Sequence, residues 1–352
     1  MSALQESNPR LVEFNGMTEH EKTNQKHNEL LRELNPFVET QLNLLLSPEE
    51  AWQPSDYLPD PHSDEFTDEI KKIQEQAKNI PDKLMEVFIG NLITEEGLPN
   101  FTTLQEKHPG VMDKTGTEMT PWAKWRRGWT AEENRHGVVF DRYAWLSGRC
   151  DMNAVEKTIH KYIAVGFNPQ VGEDPYNGLV FTSWQEPATQ IAHARVGDQA
   201  DKFGDPSLAK ISRQAGKDEA RHARFYQNIM GEIFKRDPEG AVLAFWNMVK
   251  TRIAMPGASM EGFSDFANSA QELGIYTSKD YTYIYKRLMR EWKVENLSVD
   301  GEAGKAQERL VKKLQQYERF SEMEMPKIEP HTSEWIYSPS TNKFTSLPNR
   351  GE

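Results

Sequence analysis

Glu133-Asn134-Arg135-His136 and Glu219-Ala220-Arg221-His222 are one pattern written twice, and each copy follows a lone upstream glutamate, Glu95 and Glu186 respectively. A Glu-x-x-His pair puts a carboxylate and an imidazole one turn apart on a single helix face. With one further Glu on each of two partner helices, two such pairs make the inward-facing six-ligand set of carboxylate-bridged two-metal helical bundles. Glu95, Glu133, His136, Glu186, Glu219 and His222 therefore predict an all-α four-helix bundle with two metal ions in its core. With nine histidines and abundant glutamate, one such triplet is an ordinary accident. Two copies that share Arg before His, each in a helix-compatible stretch with its partner Glu in another, are not. Carboxylate-rich donors with one imidazole per metal suit iron or manganese better than zinc or copper, and iron is the first expectation.

Working outward, 352 residues are ample for a buried core. The net charge of -12, without a block of like charges, excludes a nucleic-acid arm. A single cysteine, Cys150, excludes an internal disulfide and any cysteine-based zinc or iron-sulfur site. The longest apolar runs, such as Leu42 to Leu46, are too short to span a bilayer, and Met1 to Gly16 has no signal-like apolar core, so a soluble intracellular protein is expected. The expected layout is a loose segment over 1–20, one helical domain over 21–325 and an extended tail over 326–352.

Apolar spacing predicts helices over 21–46, from 65, 81–107, 121–147, 153–165, 175–203, 207–235, 239–255, 260–273, 278–294 and 302–323. Proline recurs at their first turns, where its missing N–H costs nothing. Ser47-Pro48 and then Gln53-Pro54 through Pro61 make a loop that carries Trp52, and Trp335-Ile336-Tyr337 is the one short β-like segment.

Ala51-Trp52-Gln53-Pro54, Ile93-Thr94-Glu95-Glu96, Trp129 to Gly137, Leu146-Ser147-Gly148-Arg149, Thr182-Ser183-Trp184-Gln185-Glu186 and Asp218 to His222 together resemble the soluble acyl-acyl-carrier-protein desaturases of plant plastids. The resemblance covers roughly residues 50 to 310. It implies a ferritin-like di-iron bundle with additional helices, two iron ions per subunit and O2 as co-substrate. Its reaction would remove two hydrogens from a saturated fatty chain carried on acyl carrier protein, near the ninth carbon of a sixteen- or eighteen-carbon chain. Reduced ferredoxin would supply electrons, the protein would be a homodimer, and its place would be the bacterial cytoplasm or the plastid stroma. By the same carry-over, Glu95, Glu133 and His136 largely serve one iron and Glu186, Glu219 and His222 the other, with Glu133 and Glu219 bridging.

The resemblance also points past the ligands. Thr189, on the Glu186 face, would steer a proton to the metal site, or would bond back to its own helix carbonyl. Trp52 and Asp218, with His136, match an electron path from the surface; Trp52 would otherwise plug the bundle end, and Asp218 would orient a ligand histidine. Leu104, Pro169, Val171, Gly178 and Leu179 are the acyl-channel candidates, or else ordinary core. Three features depart from the plant pattern. Pro187 follows a ligand and would delete a helix hydrogen bond, Leu179 stands where an aromatic is usual, and Ser47-Pro48-Glu49-Glu50 is acidic where an acidic carrier would want lysine. Lys124 with Arg126 and Arg127, Lys286 with Arg287 and Arg290, or Lys312 with Lys313 would then supply the docking charge.

Two rival readings share the architecture. A radical-generating oxidase needs a tyrosine beside the metals; Phe140 stands four residues after His136, while Tyr226 stands four after His222. A ferritin-like iron-binding protein would hold metal without oxidising lipid.

Overall fold

The computed structural model describes residues 17–251, 253–322, 337 and 338. Its helices are α1 (Glu19–Glu33), α2 (Asn35–Gln41), α3 (Phe66–Ala77), α4 (Asp82–Glu95), α5 (Leu98–Glu106), α6 (Pro121–Ser147), α7 (Met152–Val165), α8 (Pro175–Lys202), α9 (Pro206–Arg236), α10 (Pro238–Thr251), α11 (Phe263–Glu272), α12 (Ser278–Glu291) and α13 (Gly301–Glu322). Among the described residues there is no strand. Of the expected β-like segment, Trp335 and Ile336 lie outside the described residues. Tyr337 sits in a turn, buried, with its carbonyl accepting from Asp151 N–H at 2.9 Å. Most of the expected tail, and the segment before residue 17, also lie outside them.

The three long helices begin alike. Thr120, Asp174 and Asp205 cap α6, α8 and α9 by accepting from Ala123, Tyr176 and Leu208 N–H, and Pro121, Pro175 and Pro206 occupy the first turn. Cap oxygen and proline together fix the start of each helix. α6 stops at Gly148, whose φ of 64° is a left-handed closure that favours glycine. The helices read as single stretches over 21–46 and 81–107 are each two. Pro36 lies in the first turn of α2, and Gly97 with Pro99 separates α4 from α5. A proline cannot donate to the preceding turn, so the chain restarts there.

α4, α6, α8 and α9 form the bundle, with α8 and α9 packed along their lengths as a hairpin. Its interior is two apolar clusters separated by a charged layer. Along α6, Trp122, Trp125 and Trp129 belong to one cluster and Val139, Phe140 and Tyr143 to the other; along α9, Phe225, Ile229 and Ile233 belong to the first and Leu208, Ile211 and Ala215 to the second. Glu133, His136, Glu219 and His222 fall between them, buried on both helices. Burying ionisable groups at mid-height without a counter-ion is expensive, so the layer marks a site and not a packing solution.

Candidate metal centre

α4 brings Glu95, α6 brings Glu133 and His136, α8 brings Glu186, and α9 brings Glu219 and His222; all six are buried, from 0% to 7% exposed. A Cβ on Gly137 would stand 2.7 Å from Glu96 Oε1, so the Glu96 side chain packs over this glycine, next to Glu95. The donor atoms form two groups, Glu95 with Glu133, His136 and Glu219, and Glu133 with Glu186, Glu219 and His222. Within each group one donor atom per residue lies within 4.8 Å of the others. Glu133 and Glu219 belong to both, the position that bridging carboxylates occupy.

Both imidazoles present Nδ1 to this layer. His136 Nδ1 is 3.4 Å from Glu133, 3.5 Å from Glu95 and 3.6 Å from Glu219. His222 Nδ1 is 2.8 Å from Glu133, 3.7 Å from Glu186 and 3.9 Å from Glu219. These two Nδ1 atoms, both oxygens of Glu186 and Glu219 Oε2 are buried without a hydrogen-bond partner. Orphaned donor atoms of the metal-binding type, converging from four helices, fit two cations. Burial, reinforced by the charges of Glu133, Glu186 and Glu95, pushes the Glu219 carboxyl well up. Burial lowers the affinity of His136 and His222 for a proton, but Asp218 and Glu133 for the first, and Glu132 and Glu133 for the second, outweigh it and push both imidazoles up.

A family model for fatty acid desaturases matches residues 26–337. The chain belongs to the fatty acid desaturase family. Among relatives, it is 40% identical to the chloroplastic stearoyl-[acyl-carrier-protein] 9-desaturase of Gossypium hirsutum, over 88% of this chain and 81% of that protein. It is 44% identical to the one from Spinacia oleracea, over 80% of this chain and 72% of that one. A solved structure assigned as an acyl-ACP desaturase, DesA2 from Mycobacterium tuberculosis H37Rv, shares the fold at 17% identity and a TM-score of 0.51, covering 80% of this chain and 99% of that one.

Around the metal layer of this desaturase-family chain, each ligand histidine is backed by the opposite motif. His136 Nε2 is 3.3 Å from Asp218 Oδ2, the residue before Glu219, and His222 Nε2 is 2.9 Å from Glu132 Oε2, the residue before Glu133. The arginines cross the same way: Arg135 bonds Asp218 at 3.0 Å and Arg221 bonds Glu132 at 2.6 Å. Glu132, Arg135 and Arg221 were not singled out from sequence, although the five-residue repeat, acid-Glu-x-Arg-His, carries all of them. His193 was also missed. It lies two turns after Glu186 on α8 and bonds Glu95 Oε1 at 2.8 Å, fixing that carboxylate from behind.

Trp52 is buried, donates its Nε1–H to Asp218 Oδ2 at 2.8 Å, and lies parallel to the His136 ring at 6.2 Å between centroids, with Arg135 over its face. One contact chain thus joins Trp52, Asp218 and His136. Asp218 is held well below the usual carboxylate range: burial opposes this, but His136 and Arg221 prevail. The segment leading to Trp52 is tied down by Leu46 N–H on Glu132 and by Arg221 on the Leu44 carbonyl. The Thr189 hydroxyl donates to the Glu186 carbonyl at 2.9 Å, the back-bonded arrangement.

Pro187 does not break α8. Its missing N–H leaves the Ser183 carbonyl without its helix partner, and Gln227 Nε2 on α9 donates to that carbonyl at 3.2 Å. Arg287 in turn donates to Gln227 Oε1 at 3.1 Å.

All five channel candidates, Leu104, Pro169, Val171, Gly178 and Leu179, line one cavity, with about 800 Å³ of space counted out to its mouth. It reaches Gln185, beside Glu186. Tyr226 lies on its wall, its hydroxyl 3.4 Å from Trp125 Nε1. The first of the docking clusters fares less well. Arg126 is 6% exposed and paired with Glu106, Arg127 is paired with Asp113 and Lys124 with Glu39. The buried Arg126 is therefore unavailable to a partner protein, because pairing and packing have consumed it. Among the described residues, no helix is long and apolar enough to cross a membrane.

Proposed function

We propose that this protein is an acyl-[acyl-carrier-protein] desaturase that introduces a double bond near the ninth carbon of a saturated fatty chain. The observation that carries the reading is adjacency: a cavity walled by Leu104, Val171 and Leu179 reaches Gln185, the residue before Glu186, and Trp125 and Trp129, whose rings pack against His222 of the six-donor metal layer. The balanced reaction takes the methylene pair, O2, two electrons and two protons to an alkene and two waters. Two iron ions held by Glu95, Glu133, His136, Glu186, Glu219 and His222 supply the dioxygen and C–H chemistry, for which unactivated methylenes leave no acid–base route.

The remaining residues bind, orient and exclude water. A second cavity, of about 500 Å³, includes Thr189, Asn91 and Thr94 and shares Pro256 with the first. An acyl chain occupying both would pass the metal layer on the Thr189 side, where the hydroxyl would have to leave the Glu186 carbonyl to relay a proton. Trp52 and Asp218 link that layer outward and suit electron delivery from a ferredoxin-type donor. The working form is a homodimer, in a compartment that supplies acyl carrier protein and reduced ferredoxin: bacterial cytoplasm, or plastid stroma as for the chloroplastic relatives.

The test is oxygen uptake by iron-loaded protein with reduced ferredoxin and a panel of acyl-acyl carrier proteins. Uptake stimulated by one chain length, and absent in Glu219→Ala, is expected. Uptake indifferent to every acyl chain would favour an oxidase of another class, and iron release on reduction without uptake would favour iron storage.

A further inference from the structure

Each ligand histidine also meets an indole. Trp52 lies parallel to His136, while Trp125 and Trp129 stand edge-on to His222, at 6.2 and 6.4 Å between ring centroids. Trp52 is tied to Asp218 and the outer loop, whereas the other two line the acyl cavity. Trp125 has the closer surroundings. It is 2% exposed, its Nε1–H donates to the Tyr226 hydroxyl at 3.4 Å, and its ring lies flat on Phe225 at 3.4 Å. Among the described residues, no cysteine or methionine lines this cavity, and Cys150 belongs to the opposite apolar cluster. Indole and phenol are therefore the most easily oxidised side chains on the cavity wall.

The two rings differ in what oxidation asks of them. A phenol gives up an electron readily only when a base takes its proton. Tyr226 has no such base: its hydroxyl meets the Trp125 N–H, a donor, and Gln105 Oε1 at 3.5 Å, a weakly basic amide oxygen. Burial pushes the phenol up as well, so it holds its proton. An indole can lose an electron and keep its N–H, which here stays bonded to the Tyr226 oxygen.

We propose that Trp125 is a stand-by electron donor to the metal layer from the His222 side, oxidised when O2 reacts with no acyl chain in the cavity. The inference rests on the desaturase reading. In desaturation the methylene pair supplies two of the four electrons that reduce O2 to two waters, and the external reductant supplies the other two. With the cavity empty, the first two are missing. Trp125 provides them one at a time. The indole loses an electron and keeps its proton, the metal layer gains that electron, and solvent supplies the proton that water formation consumes. The reductant restores the indole before the second step. A chain in the cavity is the nearer donor and spares Trp125.

The experiment exposes iron-loaded protein, chemically reduced and freed of excess reductant, to O2 and freezes it for electron paramagnetic resonance. With no reductant left, the first oxidation is not repaired. Wild type alone should give an indole radical signal, lost in Trp125→Phe and retained with altered proton couplings in Tyr226→Phe. Stearoyl-acyl carrier protein bound beforehand should suppress it. Repeated cycles should add oxygen to the peptide carrying Trp125, read by mass spectrometry on the wild type, so the answer does not depend on a variant folding. Oxidised irons with no indole signal and an unmodified Trp125 would overturn the proposal, as would a signal that survives Trp125→Phe or a bound acyl chain. The desaturase reading is judged separately, by whether the samples given stearoyl-acyl carrier protein contain an unsaturated chain.

Discussion

His136 Nε2 lies 3.3 Å from Asp218 Oδ2, so the histidine of one motif is oriented by the acid of the other. Asp218 also receives Trp52 and Arg135, and Glu132 makes the matching contact to His222. Carboxylates behind metal-binding imidazoles fix tautomer and raise basicity. Asp218→Asn and Glu132→Gln should each weaken iron binding by roughly 10–100-fold, measured by competition with a chelator, with the helical circular dichroism retained. Unchanged affinity would mean that packing alone aims the imidazoles.

Trp52→Phe keeps the ring beside His136 but removes the N–H that reaches Asp218. Iron content should be preserved and turnover driven by reduced ferredoxin should fall. Single turnover of chemically reduced protein should be unaffected, because the role proposed for Trp52 is electron delivery. Equal losses in both assays would instead place Trp52 in support of the metal layer.

Gln227 repairs the gap that Pro187 leaves at the Ser183 carbonyl. Gln227→Leu should destabilise the protein by about 1–3 kcal/mol, the cost of an unsatisfied buried acceptor. In a Pro187→Ala background the helix supplies its own N–H and the penalty should shrink. A double-mutant cycle in denaturant reads the coupling, and additive losses would contradict it.

His108 gives a pH dependence whose sign is fixed. Burial lowers its pKa from 6.5 to about 4, so the folded state disfavours the protonated ring. Its contribution to stability is complete above pH 6.5 and is lost as pH falls toward 4, by up to about 3 kcal/mol. His108→Gln should therefore unfold less readily than the wild type on acidification across that window, in denaturant midpoints measured at each pH. Parallel curves would show that His108 titrates normally.

Much of this was legible because it is local. Thr120-Pro121, Asp174-Pro175 and Asp205-Pro206 announce helix starts through cap oxygens and proline geometry, and Glu-x-x-His fixes its own face through the helix period. What escaped depends on how helices cross. The family resemblance joined Asp218 to His136, but that Glu132 makes the matching contact to His222 follows only from α6 facing α9. His193 shares a face with Glu186, yet its bond to Glu95 needs α4 in place. Arg126 read as a surface charge because a run of basic residues says nothing of which one turns inward.

The most direct measurement is the mass of the acyl chain after stearoyl-acyl carrier protein is incubated with iron-loaded protein, reduced ferredoxin and O2. The account predicts a chain lighter by two hydrogens, with the double bond near the ninth carbon and no such product from Glu219→Ala. An acyl chain of unchanged mass, from stearoyl and shorter carriers alike and with two irons bound per chain, would contradict it.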